Sequence, residues 1–131
     1  MIGLDTNVLV RYIMQDDPSQ AAKATSLIES LTEGNPGYIT MVSVVETYWV
    51  LKSSYGLTGA QVARALEAIL RTRQLLVERA DQVVRALRVF EGGKADFADC
   101  LIERSARGAG CTQVMTFDVS ASKHSGMTLV V

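Results

Sequence analysis

The chain has 131 residues, and its 13 Lys and Arg against 14 Asp and Glu give a formal net charge of −1. With 48% hydrophobic residues and 2 prolines, the composition excludes a disordered or collagen-like chain and predicts a single globular domain. A net charge this close to zero also argues against a protein that binds polyanions through an extended basic surface.

The hydrophobic pattern predicts strands that alternate with helices along the chain. The predicted strands are residues 1–4, which we expect to be buried, and residues 38–42, 74–78, 113–117 and 127–131. The predicted helices are residues 6–14, 18–31, 43–55, 58–72, 80–90 and 96–109. This order predicts one α/β domain with a central, mainly parallel sheet of about five strands, flanked by helices on both faces.

The two cysteines, Cys100 and Cys111, cannot form a disulfide framework, and with the single histidine they fall short of a zinc site. We expect both to be small buried hydrophobic side chains. The apolar N-terminal run is broken by Asp5 and Arg11, which is not typical of a signal peptide. Since no stretch approaches the ~18 uncharged apolar residues of a membrane span, we expect a cytoplasmic protein without a membrane partner.

Acidic residues stand where ligands of a parallel α/β fold are bound. Asp5 and Asp118 directly follow predicted strands, while Glu46 and Asp99 lie in the first turns of predicted helices. Ligands of open α/β sheets bind beyond the carboxyl ends of the strands, so these four carboxylates are expected to converge. Convergence is unfavourable without a cation, and Mg²⁺ or Mn²⁺ prefers such oxygen ligands. A bound ion of this kind activates water and neutralises phosphoryl charge, which predicts nuclease chemistry.

The acids on the helices also have a purely structural interpretation. Ser43-x-x-Glu46 matches a capping box, in which Glu46 would bond the Ser43 amide. Asp96-x-x-Asp99 matches an N-cap followed by a first-turn acid that the helix dipole favours. We expect Asp96 to be the cap and Asp99 the metal ligand, although the reverse assignment, or a contribution from both, is open.

Taken together and in this order, these motifs resemble the PIN-domain ribonucleases, and in particular the toxins of VapBC-type toxin–antitoxin pairs. The motifs that carry the resemblance are Asp5-Thr6-Asn7, Glu46, Asp96 to Ile102 (Asp-x-x-Asp-x-Leu-Ile) and Thr116-Phe117-Asp118. The resemblance covers residues 1–131 as one PIN domain and implies a metal-dependent endoribonuclease. It implies that Mg²⁺ or Mn²⁺ is held by Asp5, Glu46, Asp99 and Asp118, with Asp96 as a further candidate.

The resemblance further implies polar neighbours for the ligands and partners for the protein. Thr6, Asn7 and Thr116 match the positions that orient the ligating carboxylates. The implied partners are an RNA substrate, a VapB-type antitoxin bound through the early helices, and a second copy of the chain in a homodimer. Arg11, one turn into the first helix, is a candidate for contact with a substrate phosphate.

Three other functions are compatible with an acid at the end of the first strand, but they fit the sequence less well. An aspartyl-phosphate enzyme of the haloacid-dehalogenase kind would need a second acid where Asn7 stands, and a receiver-like domain would need paired acids there as well. A catalytically inactive PIN-like module that binds protein is the main alternative, although such a module would have lost carboxylates that are present here. The aromatic residues Tyr12, Tyr48, Trp49 and Tyr55 are expected in the core, or in a groove for a partner segment.

Overall fold

Short parallel strands alternate with longer helices in the computed structural model, which describes all residues from Met1 to Val131. The strands are β1 (Ile2–Gly3), β2 (Gly37–Ile39), β3 (Leu75–Val77), β4 (Met115–Thr116) and β5 (Thr128–Leu129). The helices are α1 (Thr6–Met14), α2 (Pro18–Ser30), α3 (Met41–Trp49), α4 (Gly59–Arg71), α5 (Ala80–Glu91), α6 (Phe97–Gly108) and α7 (Val119–His124), and a π-helix (Val50–Ser54) continues α3. The chain divides into two units, Met1–Ala80 and Asp81–Val131.

The first unit is built on a three-stranded parallel sheet in the order β1-β2-β3. Gly37 in the central strand pairs with Ile2 on one side and Leu75 on the other. A Cβ atom at Gly37 would lie 2.8 Å from Leu4 Cδ1 and 2.9 Å from Leu31 Cδ1, so a larger residue would force these leucine side chains to shift. The close approach of these leucines to the backbone fills the core under the sheet.

Local capping interactions set the starts of several helices. Asp17 Oδ1 accepts a hydrogen bond from Gln20 N at 3.0 Å, and Pro18 occupies the first position of α2. Thr58 and Gln61 form a reciprocal capping box at the start of α4. The predicted bounds of α1 match the observed ones.

The start of α3 differs from the prediction. The helix begins at Met41, because Thr40 Oγ1 accepts a hydrogen bond from Ser43 N at 3.1 Å and thereby acts as the N-cap. Glu78, just after β3, strengthens this start by accepting a hydrogen bond from Met41 N at 2.9 Å. The prediction of a cap at Ser43 is therefore wrong, since β2 ends at Ile39 and the chain enters the helix three residues earlier.

The second unit contains a separate sheet, in which β4 and β5 pair in parallel over two residues each. The strands thus form a three-stranded and a two-stranded sheet, and the expected single sheet of about five strands is not observed. β4 ends at Thr116, because Asp118 already caps α7. The sequence pattern did not predict this helix. The core of this unit includes Val83, Leu87, Phe90, Phe97 and Leu101.

Burial corrects two further expectations. Met1 and Ile2 are 73% and 40% exposed, so β1 is not the buried strand that its apolar sequence indicates, and only Leu4 behind it is buried. Cys100 is buried as expected, whereas Cys111 is exposed. None of the helices is both long enough and apolar enough to cross a membrane.

Candidate active site

Asp5 stands at the junction between β1 and α1. Its Oδ1 atom accepts a hydrogen bond from Thr6 N at 2.7 Å, which makes Asp5 the N-cap of α1. The residue itself is exposed, whereas the flanking Leu4 and Thr6 are buried. The fold therefore anchors the backbone of Asp5 while its carboxylate faces solvent.

Glu46 lies in the second turn of α3 and is exposed. Thr6 Oγ1 donates a hydrogen bond to Glu46 Oε1 at 3.3 Å, across forty residues of sequence. Because Thr40 caps α3, the alternative in which Glu46 forms a capping box with Ser43 is wrong. The contact with Thr6 links Glu46 to the residue that follows Asp5.

A cavity of about 450 Å³ in the first unit brings the predicted residues together. It is lined by five of the residues singled out in the sequence: Asp5, Thr6, Asn7, Arg11 and Glu46. The cavity is thus lined by two carboxylates, a hydroxyl, an amide and a guanidinium. Tyr55, which the sequence predicts in the core or in a groove for a partner segment, also lines this cavity.

The second unit contains the other predicted acids, at the start of α6 and after β4. Asp96 Oδ1 accepts a hydrogen bond from Asp99 N at 3.0 Å, so Asp96 is the N-cap of α6, as expected. Asp118 caps α7 through hydrogen bonds from Ser120 N at 2.8 Å and Ala121 N at 3.2 Å. Thr116 Oγ1 in turn accepts a hydrogen bond from Asp118 N at 3.0 Å, which fixes the turn after the strand.

The surroundings of Asp99 shift the pKa of its carboxyl group. Burial raises the pKa of the Asp99 carboxyl above its ordinary value, and the charges of Asp96 and Asp118 raise this pKa further. Both effects disfavour the ionised form, and a nearby divalent cation would reverse them. Carboxylate oxygens are the kind of ligand that hard divalent cations prefer.

Neither unit by itself contains a group of three or more His, Cys, Asp or Glu side chains arranged to hold a metal ion. Asp5 and Glu46 belong to the first unit, and Asp99 and Asp118 belong to the second. That all four serve one metal centre stays a prediction.

Two residues that support the site were missed in the sequence. Thr40 caps α3, the helix that contains Glu46, and a hydroxyl residue at that position is a typical N-cap signal. Glu78 is a third acid at a strand end, and its contact with Met41 N depends on the neighbouring positions of β2 and β3. The contact between Glu78 and Met41 N could be found only from the tertiary structure.

Comparison with known proteins identifies the family. The sequence model of the PIN domain family matches residues 2–126. The chain therefore belongs to the PIN domain family, whose members are generally metal-dependent nucleases. Neither the comparison with curated proteins nor the comparison with solved structures gave a significant match.

Proposed function

We propose that this protein is a Mg²⁺- or Mn²⁺-dependent endoribonuclease that acts as the toxin of a type II toxin–antitoxin pair. Its family membership supports nuclease activity in general. The ordered motifs that resemble VapC-type toxins support the finer assignment, which includes a VapB-type antitoxin, a homodimer and a cytoplasmic location. The proposed catalytic and metal-binding residues are Asp5, Glu46, Asp99 and Asp118, with Asp96 as a further candidate ligand.

The observation that carries this proposal is the arrangement of Asp5, Thr6 and Glu46 at one cavity. Asp5 and Glu46 are separated by forty-one positions in sequence, and Asp5 caps α1 whereas Glu46 lies within α3. Glu46 has no role in capping its own helix, because Thr40 has taken that role. An exposed acid held by a neighbouring hydroxyl beside a second acid is more easily explained by ligand binding than by folding.

The residues that line the cavity have different expected roles in catalysis. When bound, a divalent ion supplies an activated water and neutralises charge on the phosphate. Asp5 and Glu46 offer oxygen ligands, and Thr6 restricts the orientation of the Glu46 carboxylate through its hydroxyl. Asn7 and Arg11 line the same cavity, where Arg11 is the candidate donor to a substrate phosphate.

The test compares isosteric variants of one acid from each unit. Glu46→Gln and Asp99→Asn keep the size and hydrogen-bonding capacity of the side chains but weaken ligation of a hard cation. We expect each to lower the rate of cleavage of single-stranded RNA in Mg²⁺ or Mn²⁺ by at least about 100-fold, with stability changed by less than ~0.5 kcal/mol. Glu33→Gln and Asp81→Asn remove the same charges at exposed positions outside the site and should leave cleavage unchanged.

Thermal unfolding with added Mn²⁺ separates an active enzyme from an inactive PIN-like binding module. Ligand binding to the folded state stabilises it by about 2.7 kcal/mol at a concentration 100 times the dissociation constant. We expect a rise in Tm for the wild-type protein and a smaller one for the two site variants. Normal RNA cleavage by both variants would show that the metal ligands are assigned wrongly.

A further inference from the structure

The cavity beside Asp5 and Glu46 has lining residues that cannot serve as metal ligands. Val10, Val50 and Tyr55 give it apolar surface. Its volume of about 450 Å³ exceeds the needs of a hydrated ion and falls within the usual range for sites that bind small organic groups. Such a lining suits a ligand that combines an anionic group with a flat apolar one.

Arg11 is held in place from three directions. Its Nε donates a hydrogen bond to Gln20 Oε1 at 2.7 Å, and its Nη1 donates to Asp16 Oδ1 at 3.3 Å and to the Tyr55 hydroxyl at 3.2 Å. These contacts use Nε and Nη1, which leaves the two N–H groups of Nη2 for a ligand. Arg11 is therefore a pre-positioned donor for an oxyanion.

Tyr55 is held through both its backbone and its hydroxyl group. Tyr55 N donates a hydrogen bond to Val50 O at 3.2 Å, which closes the π-helix that follows α3. The Tyr55 hydroxyl donates to Asp16 Oδ2 at 2.9 Å. Short π-helical segments are frequent at functional sites, and here the segment brings an aromatic ring to the cavity that contains Glu46.

We propose that this cavity binds one unpaired nucleotide of the RNA substrate, next to the phosphate that is cleaved. Arg11 Nη2 donates to a phosphate oxygen, while the base stacks on the Tyr55 ring and contacts Val10 and Val50. Asp16 is a positioning residue, since it acts through Arg11 and Tyr55. The inference rests on the proposed ribonuclease function and identifies a nucleotide subsite at the same site.

Equilibrium binding tests the phosphate contact. The full-length protein is titrated against a fluorescently labelled single-stranded RNA of mixed sequence, without divalent ions, at several salt concentrations. We expect Arg11→Gln to reduce the slope of log affinity against log salt by about 0.7, the value for one phosphate contact in a single strand. Arg73→Gln is the matched control, because Arg73 forms an exposed ion pair with Glu33 at 3.6 Å outside the cavity, and its slope should equal that of the wild type.

The same assay tests the stacking contact. We expect Tyr55→Leu to weaken RNA binding by about tenfold or more without a change in the salt slope, since an aromatic surface but no charge is lost. Tyr55→Phe keeps the ring and should bind within about threefold of the wild type. It also keeps the proposal testable if the leucine variant does not fold. In steady-state cleavage, Arg11→Gln and Tyr55→Leu should raise KM more than they lower kcat.

The outcomes separate the subsite from the nuclease assignment. Unchanged affinity and salt slope in Arg11→Gln, together with unchanged affinity in folded Tyr55→Leu, overturns the subsite even if the wild type cleaves RNA. No measurable RNA binding by the wild type overturns it as well. If the two variants change binding as expected but the wild type cleaves no RNA with Mg²⁺ or Mn²⁺, the subsite stands and the proposed catalytic function fails.

Discussion

Substitutions at the start of α3 test whether Glu46 is free of a role in capping its own helix. Thr40 is exposed, and its hydroxyl accepts the hydrogen bond from Ser43 N, so Thr40→Ala removes the cap with little loss of buried surface. Loss of such an N-cap costs about 1 kcal/mol, within a range of roughly 0.5 to 2 kcal/mol. For a domain of this size we therefore expect Tm to fall by roughly 4 °C.

Ser43→Ala is the matched comparison, because it removes a hydroxyl of the same kind three residues later. Ser43 lies inside the first turn of α3 and contributes its backbone N–H, which alanine retains, to the cap. Alanine also has the higher helix propensity, so we expect the free energy of unfolding to stay within about 0.5 kcal/mol of the wild type, or to rise slightly. Urea unfolding followed by circular dichroism measures both variants.

The opposite ranking would contradict the assignment of Thr40 as the cap of α3. If Ser43→Ala loses about 1 kcal/mol and Thr40→Ala loses nothing, α3 begins at Ser43 and Glu46 belongs to its capping box. Glu46 would then be a structural residue, and the case for its role in catalysis would lose its main support. RNA cleavage measured well below the Tm should be retained in Thr40→Ala, because the cap does not contact the cavity.

Three further predictions concern the first unit. Gly37→Ala should lower the free energy of unfolding in urea by about 1–3 kcal/mol, because the new methyl group meets three leucine side chains. An unchanged free energy of unfolding would contradict this packing. Thr47 Oγ1 is buried without a hydrogen-bond partner, so Thr47→Val should be neutral or raise the unfolding free energy by about 1 kcal/mol, and a clear loss would reveal a missed partner. The hydrogen bond to Asp16 raises the pKa of Tyr55 above its ordinary value. The contribution of this contact to the free energy of unfolding is therefore complete below the pKa of Tyr55 in the unfolded chain, and it is lost as pH rises through the pKa of Tyr55 in the folded protein. Asp16→Asn should therefore lower the Tyr55 pKa in a spectrophotometric titration against a Tyr55→Phe reference, and no change would disprove the contact.

Much of the local structure was predictable because its causes lie within a few residues. The bounds of α1 follow from its helical hydrophobic period. The starts of α2 and α4 depend on Asp17 and Thr58, whose side chains accept hydrogen bonds from backbone N–H groups three positions later. A local capping pattern also predicts Asp96 as the cap of α6. At α3 the predicted cap, Ser43, is wrong, because Thr40 caps the helix three positions earlier.

The α/β alternation, the PIN-like order of acidic motifs and several helix starts can be read from the sequence alone. The division of the strands into two sheets and the set of side chains that meet at the cavity depend on the tertiary structure. The contacts from Thr6 to Glu46 and from Arg11 to Tyr55 span 40 and 44 positions. Such contacts depend on how whole helices pack on the sheet, and no periodicity or spacing within a short window carries that information.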